Sequence, residues 1–179
     1  SKELEESPDN LLRIASSFHE SDEHKLLMSA PRGLPDHSQH GEFAKILKQV
    51  MRRGSRHNII VDVGARGRER SNSFDLLTQF QWYGLLIEAN PELYSSIKAE
   101  FANTRFNLVE CAIGAKEGVL PLYIGSNDDV SSLSREAAAG WGDLRGQVDV
   151  NVRRLAPVLS ESGIPHDCDG ARSGNQKSG

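Results

Sequence analysis

Asp62, Gly64 and Glu88 are the residues whose types and spacing suit one piece of chemistry. The first two lie in Val61-Asp62-Val63-Gly64-Ala65-Arg66-Gly67, and Glu88 follows twenty-four residues after Gly64. A glycine at the end of a strand lets the backbone pass close to a ligand. The helix that follows opens with N–H groups that no carbonyl of its own uses. An acid at the end of the next strand can receive both hydroxyls of a ribose, because an ionised carboxylate has two acceptor oxygens. Together these describe a nucleoside-containing cofactor laid across the carboxyl ends of two neighbouring strands. Two cofactor classes fit. A dinucleotide wants Gly-x-Gly-x-x-Gly, so that its pyrophosphate sits on a helix N-terminus. Here Gly64-Ala65-Arg66-Gly67-Arg68-Glu69 lacks the second and third glycines of that register. S-adenosylmethionine carries no phosphate, needs fewer glycines and tolerates Glu69. The pattern therefore favours the methyl donor and leaves a nicotinamide dinucleotide as the alternative. Acids that merely cap strand ends would explain Asp62 or Glu88 singly, but not both on consecutive strands.

The elements around these residues follow from periodicity. Ile59-Ile60-Val61-Asp62-Val63 is a β-branched run bounded by glycine, which reads as a buried parallel strand. Phe74, Leu76, Leu77 and Phe80 mark a helix, and Gly84-Leu85-Leu86-Ile87-Glu88 a second strand ending on its acid. Asn90-Pro91-Glu92 opens another helix, with Asn90 as N-cap and Pro91 in the first turn. Tyr94, Ile97 and Phe101 supply its apolar side, and residues 106–113 read as a third strand. Strand–helix–strand–helix–strand order predicts an α/β fold with parallel strands and right-handed crossovers. Upstream, Phe43, Ile46, Leu47, Val50 and Met51 form one helical stripe. Gly54 ends that helix, and Arg52, Arg53 and Arg56 sit where cations suit its dipole. Downstream, Pro121 restricts residues 119–124 to an edge strand. Residues 127–146 read as a long mobile loop with at most one short helix. Val148 to Val152 alternates as a half-exposed strand does, and residues 155–162 form a short helix with Gly163 as C-cap and Pro165 as its stop.

Composition bounds the rest. The chain has 179 residues, 37% of them hydrophobic and 26% charged, with a net charge of −4. That balance argues against a general nucleic-acid binder, and no apolar stretch is long enough to span a membrane. Cys111 and Cys168 cannot form a disulfide scaffold or a zinc site by themselves. A reducing compartment, cytoplasmic by default, is the expectation. Residues 1–40 carry eight Asp/Glu against four Lys/Arg, and residues 41–179 balance to zero. Residues 1–40 read as a helical leader and polar linker, with Ser7-Pro8 as a helix start and Leu11, Ile14, Ala15 and Phe18 as a stripe. Its four histidines (His19, His24, His37 and His40) lack a metal-ligand context, so no metal site is expected. Residues 170–179 contain no large apolar side chain and are expected to be disordered.

At this point the residues resemble a family. Val-Asp-Val-Gly-Ala-Arg at 61–66, Ser71-Asn72-Ser73, Gly-Leu-Leu-Ile-Glu-Ala-Asn-Pro-Glu-Leu at 84–93 and Cys-Ala-Ile-Gly at 111–114 look like the FkbM-type methyltransferases. So do the hairpin at 118–124 and Ser131-Ser132-Leu133. The resemblance covers residues 56–167, and the stretch 84–93 is its most specific part. It implies a Rossmann-like class I fold, S-adenosyl-L-methionine as donor, and O-methylation of a hydroxyl on a small molecule or sugar. Carried over by position, it implies that Asp62, Gly64, Ala65 and Arg66 line the methionine end of the cofactor. Glu88 would hold the ribose, with Ala89 and Asn90 beside it, and Glu110, Cys111 and Ala112 would face the adenine. Cys111 reads equally well as a plain core residue.

Two departures stand out. Gly67 sits one place before the family's further glycine, where this chain has Arg68. The family's fourth strand would begin near Ile164 and end in an acidic motif, but here residues 164–179 turn polar and glycine-rich. The expectation is a fold truncated after its third core strand. That would leave the strand at 59–63 with an open edge through which the chain self-associates. The groups that orient the methyl acceptor would come largely from the missing half, so no catalytic residue is nominated; His166 and Asp167 lie at the margin of the tail. Three readings follow: an FkbM-like O-methyltransferase, an inactive truncated form that serves as a cofactor-binding or interaction module, and a fragment of an NAD-dependent oxidoreductase.

Overall fold

The computed structural model describes residues 34–126, 131–140 and 142–165, and the backbone of 171–173. Of the helical leader and polar linker read at 1–40, residues 1–33 lie outside the described residues. The apolar stripe after it forms α1 (Glu42–Arg53), which Gly54 ends at φ 73°, its N–H on the Val50 carbonyl. Then come β1 (Ile59–Val63), α2 (Phe74–Gln79) and β2 (Tyr83–Glu88). A 3-10 turn (Pro91–Leu93) leads into α3 (Tyr94–Glu100), and β3 (Arg105–Glu110) follows.

These strands build a sheet in the order β3-β2-β1-β8, all parallel, where β8 is Ala171–Ser173. Two expectations are corrected here. The fold does not stop at its third core strand, and the tail is a strand at 171–173; residues 170 and 174–179 lie outside the described residues. β8 pairs with Val61, Asp62 and Val63, so the edge proposed for self-association is covered along those residues. A buried apolar strand has backbone groups that need partners, and three otherwise unpatterned residues supply them.

Side-chain alternation assigns the two faces of this sheet. Ile60, Leu86, Phe106 and Leu108 point to a core with Phe43 and Leu47 of α1, Leu76 and Leu77 of α2, and Ile97 of α3. Val61, Leu85, Ile87 and Val109 point to the other core, with Val158 and Leu159 of α5 (Leu155–Glu161). The helices α2 and α3 thus pack on one face and α5 on the other, and the strand order reverses at β1.

The third strand is not continuous through 113. It breaks at Cys111, and Ala112–Ile113 form β4 of a second sheet with order β4-β7-β5-β6. This sheet contains β5 (Gly118–Gly125), β6 (Ser131–Ser132) and β7 (Leu144–Arg153). Ala112 pairs with Val152, whereas Glu110 still pairs with Glu88, so one chain segment serves two sheets. The region read as a mobile loop holds β6, α4 (Arg135–Ala139) and the start of β7; residues 127–130 and 141 lie outside the described residues. β5 pairs with β7 over its length and with β6 only at Tyr123 and Ile124. Pro121, paired with Asp149 of β7, therefore sits where the other side of β5 is an open edge, the setting in which a strand tolerates proline. After α5, Ile164 N–H meets the Leu159 carbonyl at 3.0 Å and Gly163 N–H the Ser160 carbonyl at 3.1 Å. That pair of bonds is a Schellman C-cap, with Gly163 at φ 67°. Among the described residues no helix is long and apolar enough to cross a membrane.

Candidate functional site

The carboxyl ends of β1, β2 and β3 lie side by side. Val63, Ile87 and Val109 are in register, and Glu88 is in register with Glu110. By alternation Asp62, Glu88 and Glu110 all belong to the face that carries α2 and α3. Open α/β sheets bind ligands outside the carboxyl ends of their strands, where the strand order reverses. That reversal lies at β1.

The turn after β1 is built by Gly64 at φ 80°, a conformation that glycine adopts without the Cβ clash. A Cβ placed there would meet nothing within 4 Å, so the space beside the turn is open. Gly64 N–H and Ala65 N–H both donate to the Ile87 carbonyl, at 2.8 and 3.1 Å. The turn is thereby stitched to β2, and these two donors are already used. Ala65 is fully buried in the α1–α3 core, and Arg66 is half-buried.

Asp62 is only 7% exposed and accepts a 2.8 Å hydrogen bond from Ser73 Oγ at the start of α2. Ser73 itself is fully buried, and Ser71 Oγ accepts from the N–H groups of Ser73 and Phe74. Ser71 thus caps the helix and frees Ser73 to hold the acid. Burial raises the Asp62 carboxyl above its ordinary range, against the opposing effect of the Ser73 hydroxyl.

Glu88 is also 7% exposed. Its Oε1 accepts from Asn90 N–H at 2.6 Å. Burial pushes its carboxyl up to about 7; the N–H groups of Asn90 and Ala89 oppose this, and the charge of Asp62 adds to it. Asn90 is buried and accepts from Glu92 N–H at 3.0 Å, as an N-cap should. The Tyr94 hydroxyl donates to the Ala89 carbonyl at 3.0 Å. Its pKa is pushed up to about 12, by burial first and then by Glu110, Glu88 and Cys111. A buried acid near neutrality accepts two hydroxyls when ionised and donates one hydrogen bond when protonated.

The structure brings Asp62, Gly64, Ala65, Glu88, Ala89 and Asn90 to one corner. It treats the other residues differently. Glu110 is half-exposed and paired with Lys98 of α3 at 2.7 Å. Cys111 is buried in the core under α5, where burial raises its thiol pKa. With Glu110, Arg153 and Glu161 it also lines a cleft of about 600 Å³, whose walls contain neither Asp62 nor Glu88. Ala112 is buried in the core of the second sheet, with Leu122, Val150 and Val152. Among the described residues, no group of three His, Cys, Asp or Glu side chains is placed to hold a metal ion.

Two site residues carried no clear signal in the sequence. Ser73 stands in the Ser71-Asn72-Ser73 stretch of the resemblance with no role attached to it, and nothing local shows that it reaches Asp62, eleven residues away. Tyr94 reads as one apolar member of a helical stripe, although its hydroxyl fixes the chain after β2. His37, the one histidine of the leader and linker with a buried partner among the described residues, is tied to Asp75 of α2 through Nδ1 at 2.9 Å and its N–H at 2.7 Å. No protein-family model, no curated protein and no solved structure matches this chain.

Proposed function

We propose that this chain is an S-adenosylmethionine-dependent O-methyltransferase of the FkbM type, on a Rossmann-like class I fold, acting on a hydroxyl of a small molecule or sugar. The observation that carries the reading is the buried Glu88 carboxylate at the carboxyl end of β2, next to the left-handed Gly64 turn. The reversal of strand order at β1 supports it, because that is where such sheets hold ligands. The open space beside Gly64 fits a cofactor that passes close to the backbone. The two N–H groups of the turn favour the methyl donor over a dinucleotide. Both are spent on Ile87, and a pyrophosphate would need such donors.

When bound, the cofactor supplies an electrophilic methyl group on a sulfonium. Glu88 would hold the ribose hydroxyls with its ionised carboxylate, steadied by Asn90 N–H. Asp62, fixed by Ser73, would face the methionine end with a negative charge suited to an ammonium. Burial of both acids excludes water and strengthens these contacts. Methyl transfer to oxygen is an in-line displacement, so orientation of the acceptor matters more than strong base chemistry.

Calorimetric titration with S-adenosylhomocysteine tests the proposal, with NAD in parallel. The expected result is binding that Glu88→Ala weakens by about 1–3 kcal/mol, the range for a lost charged hydrogen-bond partner. Glu88→Gln keeps the shape should the alanine variant fail to fold. A folded wild-type chain that ignores S-adenosylhomocysteine would sink the reading, and binding of NAD in its place would turn it into the oxidoreductase.

A further inference from the structure

We infer that the outer face of α1 is a docking surface for an anionic lipid bilayer, held by charge and without insertion. Neither this surface nor its test depends on the methyltransferase reading. α1 divides its residues between two sides. Phe43 and Leu47 are buried, and Ile46, Val50 and Met51 pack beside them in the core. Lys45, Lys48, Arg52 and Arg53 are exposed. At about 3.6 residues per turn these four lie in one arc opposite the apolar stripe, along about 12 Å of the helix. Arg56, just past the helix end, is exposed as well.

No acid interrupts this arc. Glu42, the only acid of α1, stands in the first turn, where its carboxylate accepts from His40 N–H at 2.7 Å. Asp36 lies at the same end, beside Gly41, and accepts from Ser38 N–H at 3.0 Å. Lys45 gives one ammonium proton to the His40 carbonyl, which leaves its charge in place. Among the described residues, no carboxylate forms an ion pair with Lys48, Arg52 or Arg53. The chain as a whole carries a net charge of −4, so this gathering of cations runs against its own average.

Clusters of about four to eight Lys/Arg on an amphipathic helix are drawn to anionic lipid headgroups. Here the apolar side of the helix is committed to the core, so the attraction rests on charge alone. A nucleic acid fits the face less well. A duplex groove encloses a helix over much of its girth, whereas the core already covers one side of α1. Single strands stack on aromatic side chains, and the exposed arc has none.

The test is co-sedimentation of the full chain with vesicles of phosphatidylcholine, alone or with about a third phosphatidylserine, at about 0.15 M NaCl. The chain should sediment with the anionic vesicles only. It should be released at about 1 M NaCl, where the Debye length falls to about 3 Å. Each cation near the surface is worth about fivefold in affinity, so Lys48→Gln/Arg52→Gln should weaken binding roughly 25-fold. Lys116→Gln/Arg135→Gln removes the same charge from exposed positions before β5 and in α4, and should bind as the parent does. Glutamine suits a helix, and denaturant titration checks that each variant is folded. Equal binding to phosphatidylcholine alone, retention in high salt, or equal loss in the two double variants would overturn the proposal. So would silence toward both vesicles, the result if residues 1–33, with seven Asp/Glu against four Lys/Arg, cover the arc instead. Binding of a duplex RNA by a chain that ignores anionic vesicles would overturn it in favour of nucleic acid.

Discussion

Replacing Glu88 by glutamine removes a titration that works against the fold at neutral pH. The carboxyl ordinarily titrates near 4.5 and is pushed up to about 7 in the folded chain, chiefly by burial. Below pH 4.5 it is protonated in both folded and unfolded chains and contributes no pH dependence. Between 4.5 and about 7 the unfolded chain releases the proton while the folded chain keeps it. The folded state then binds more protons than the unfolded one, so stability falls as pH rises. Each pH unit in that window is worth about 1.4 kcal/mol, so on the order of 3 kcal/mol is lost by pH 8. Glutamine has nearly the same shape, and its amide oxygen can still accept from Asn90 N–H. Urea denaturation of both proteins at fixed pH values from 4 to 8 isolates the effect, because the other titrating groups are common to both. The advantage of Glu88→Gln should be smallest near pH 4, grow through the window and level off above pH 7. Against a total stability of roughly 5–15 kcal/mol, such a difference is readily measured. A difference that stays constant from pH 4 to 8 would refute the argument that burial holds this acid protonated.

The same titration bears on the ligand. S-adenosylhomocysteine should bind the ionised acid, so its affinity should fall below pH 7 by up to about tenfold per pH unit, and calorimetry on Glu88→Gln should show no such slope. Gly64→Ala forces a side chain into the left-handed region and should cost about 1–2 kcal/mol in denaturant titrations; no loss would show that the turn relaxes freely. Asp75 is 1% exposed and accepts from His37 N–H and from the Gln79 amide, both at 2.7 Å. Asp75→Ala should therefore cost about 2–3 kcal/mol and expose residues 34–38 to proteolysis; unchanged cleavage would show that the segment is held elsewhere. Cys111 should resist a thiol reagent in the native chain and react on unfolding, because its thiol is buried and protonated.

What the sequence determined by itself is the part governed by local periodicity and capping. The β-branched run at 59–63 and the apolar run at 84–88 are buried parallel strands because only a strand covered on both faces reads that way. The stripe of α1, the N-cap at Asn90, the alternation of β7 and the stop at Gly163 are equally local, and each stands where the residues put it. The placing of acids at strand ends also followed, because the strand boundaries did. Tertiary structure alone decided the rest. The apolar run at 106–113 breaks at Cys111 because its two halves find partners in different sheets, and no pattern within the run announces this. Residues 171–173 form a strand because β1 has backbone groups left to satisfy. Asp62 meets Ser73, and His37 meets Asp75, through contacts spanning 11 and 38 residues, which no short-range rule encodes. The raised proton affinity of Glu88 belongs to this second class too. It arises from water excluded by helices and strands distant in the chain, so a glutamate that is ordinary in sequence becomes an acid poised near neutrality only once the sheet has closed over it.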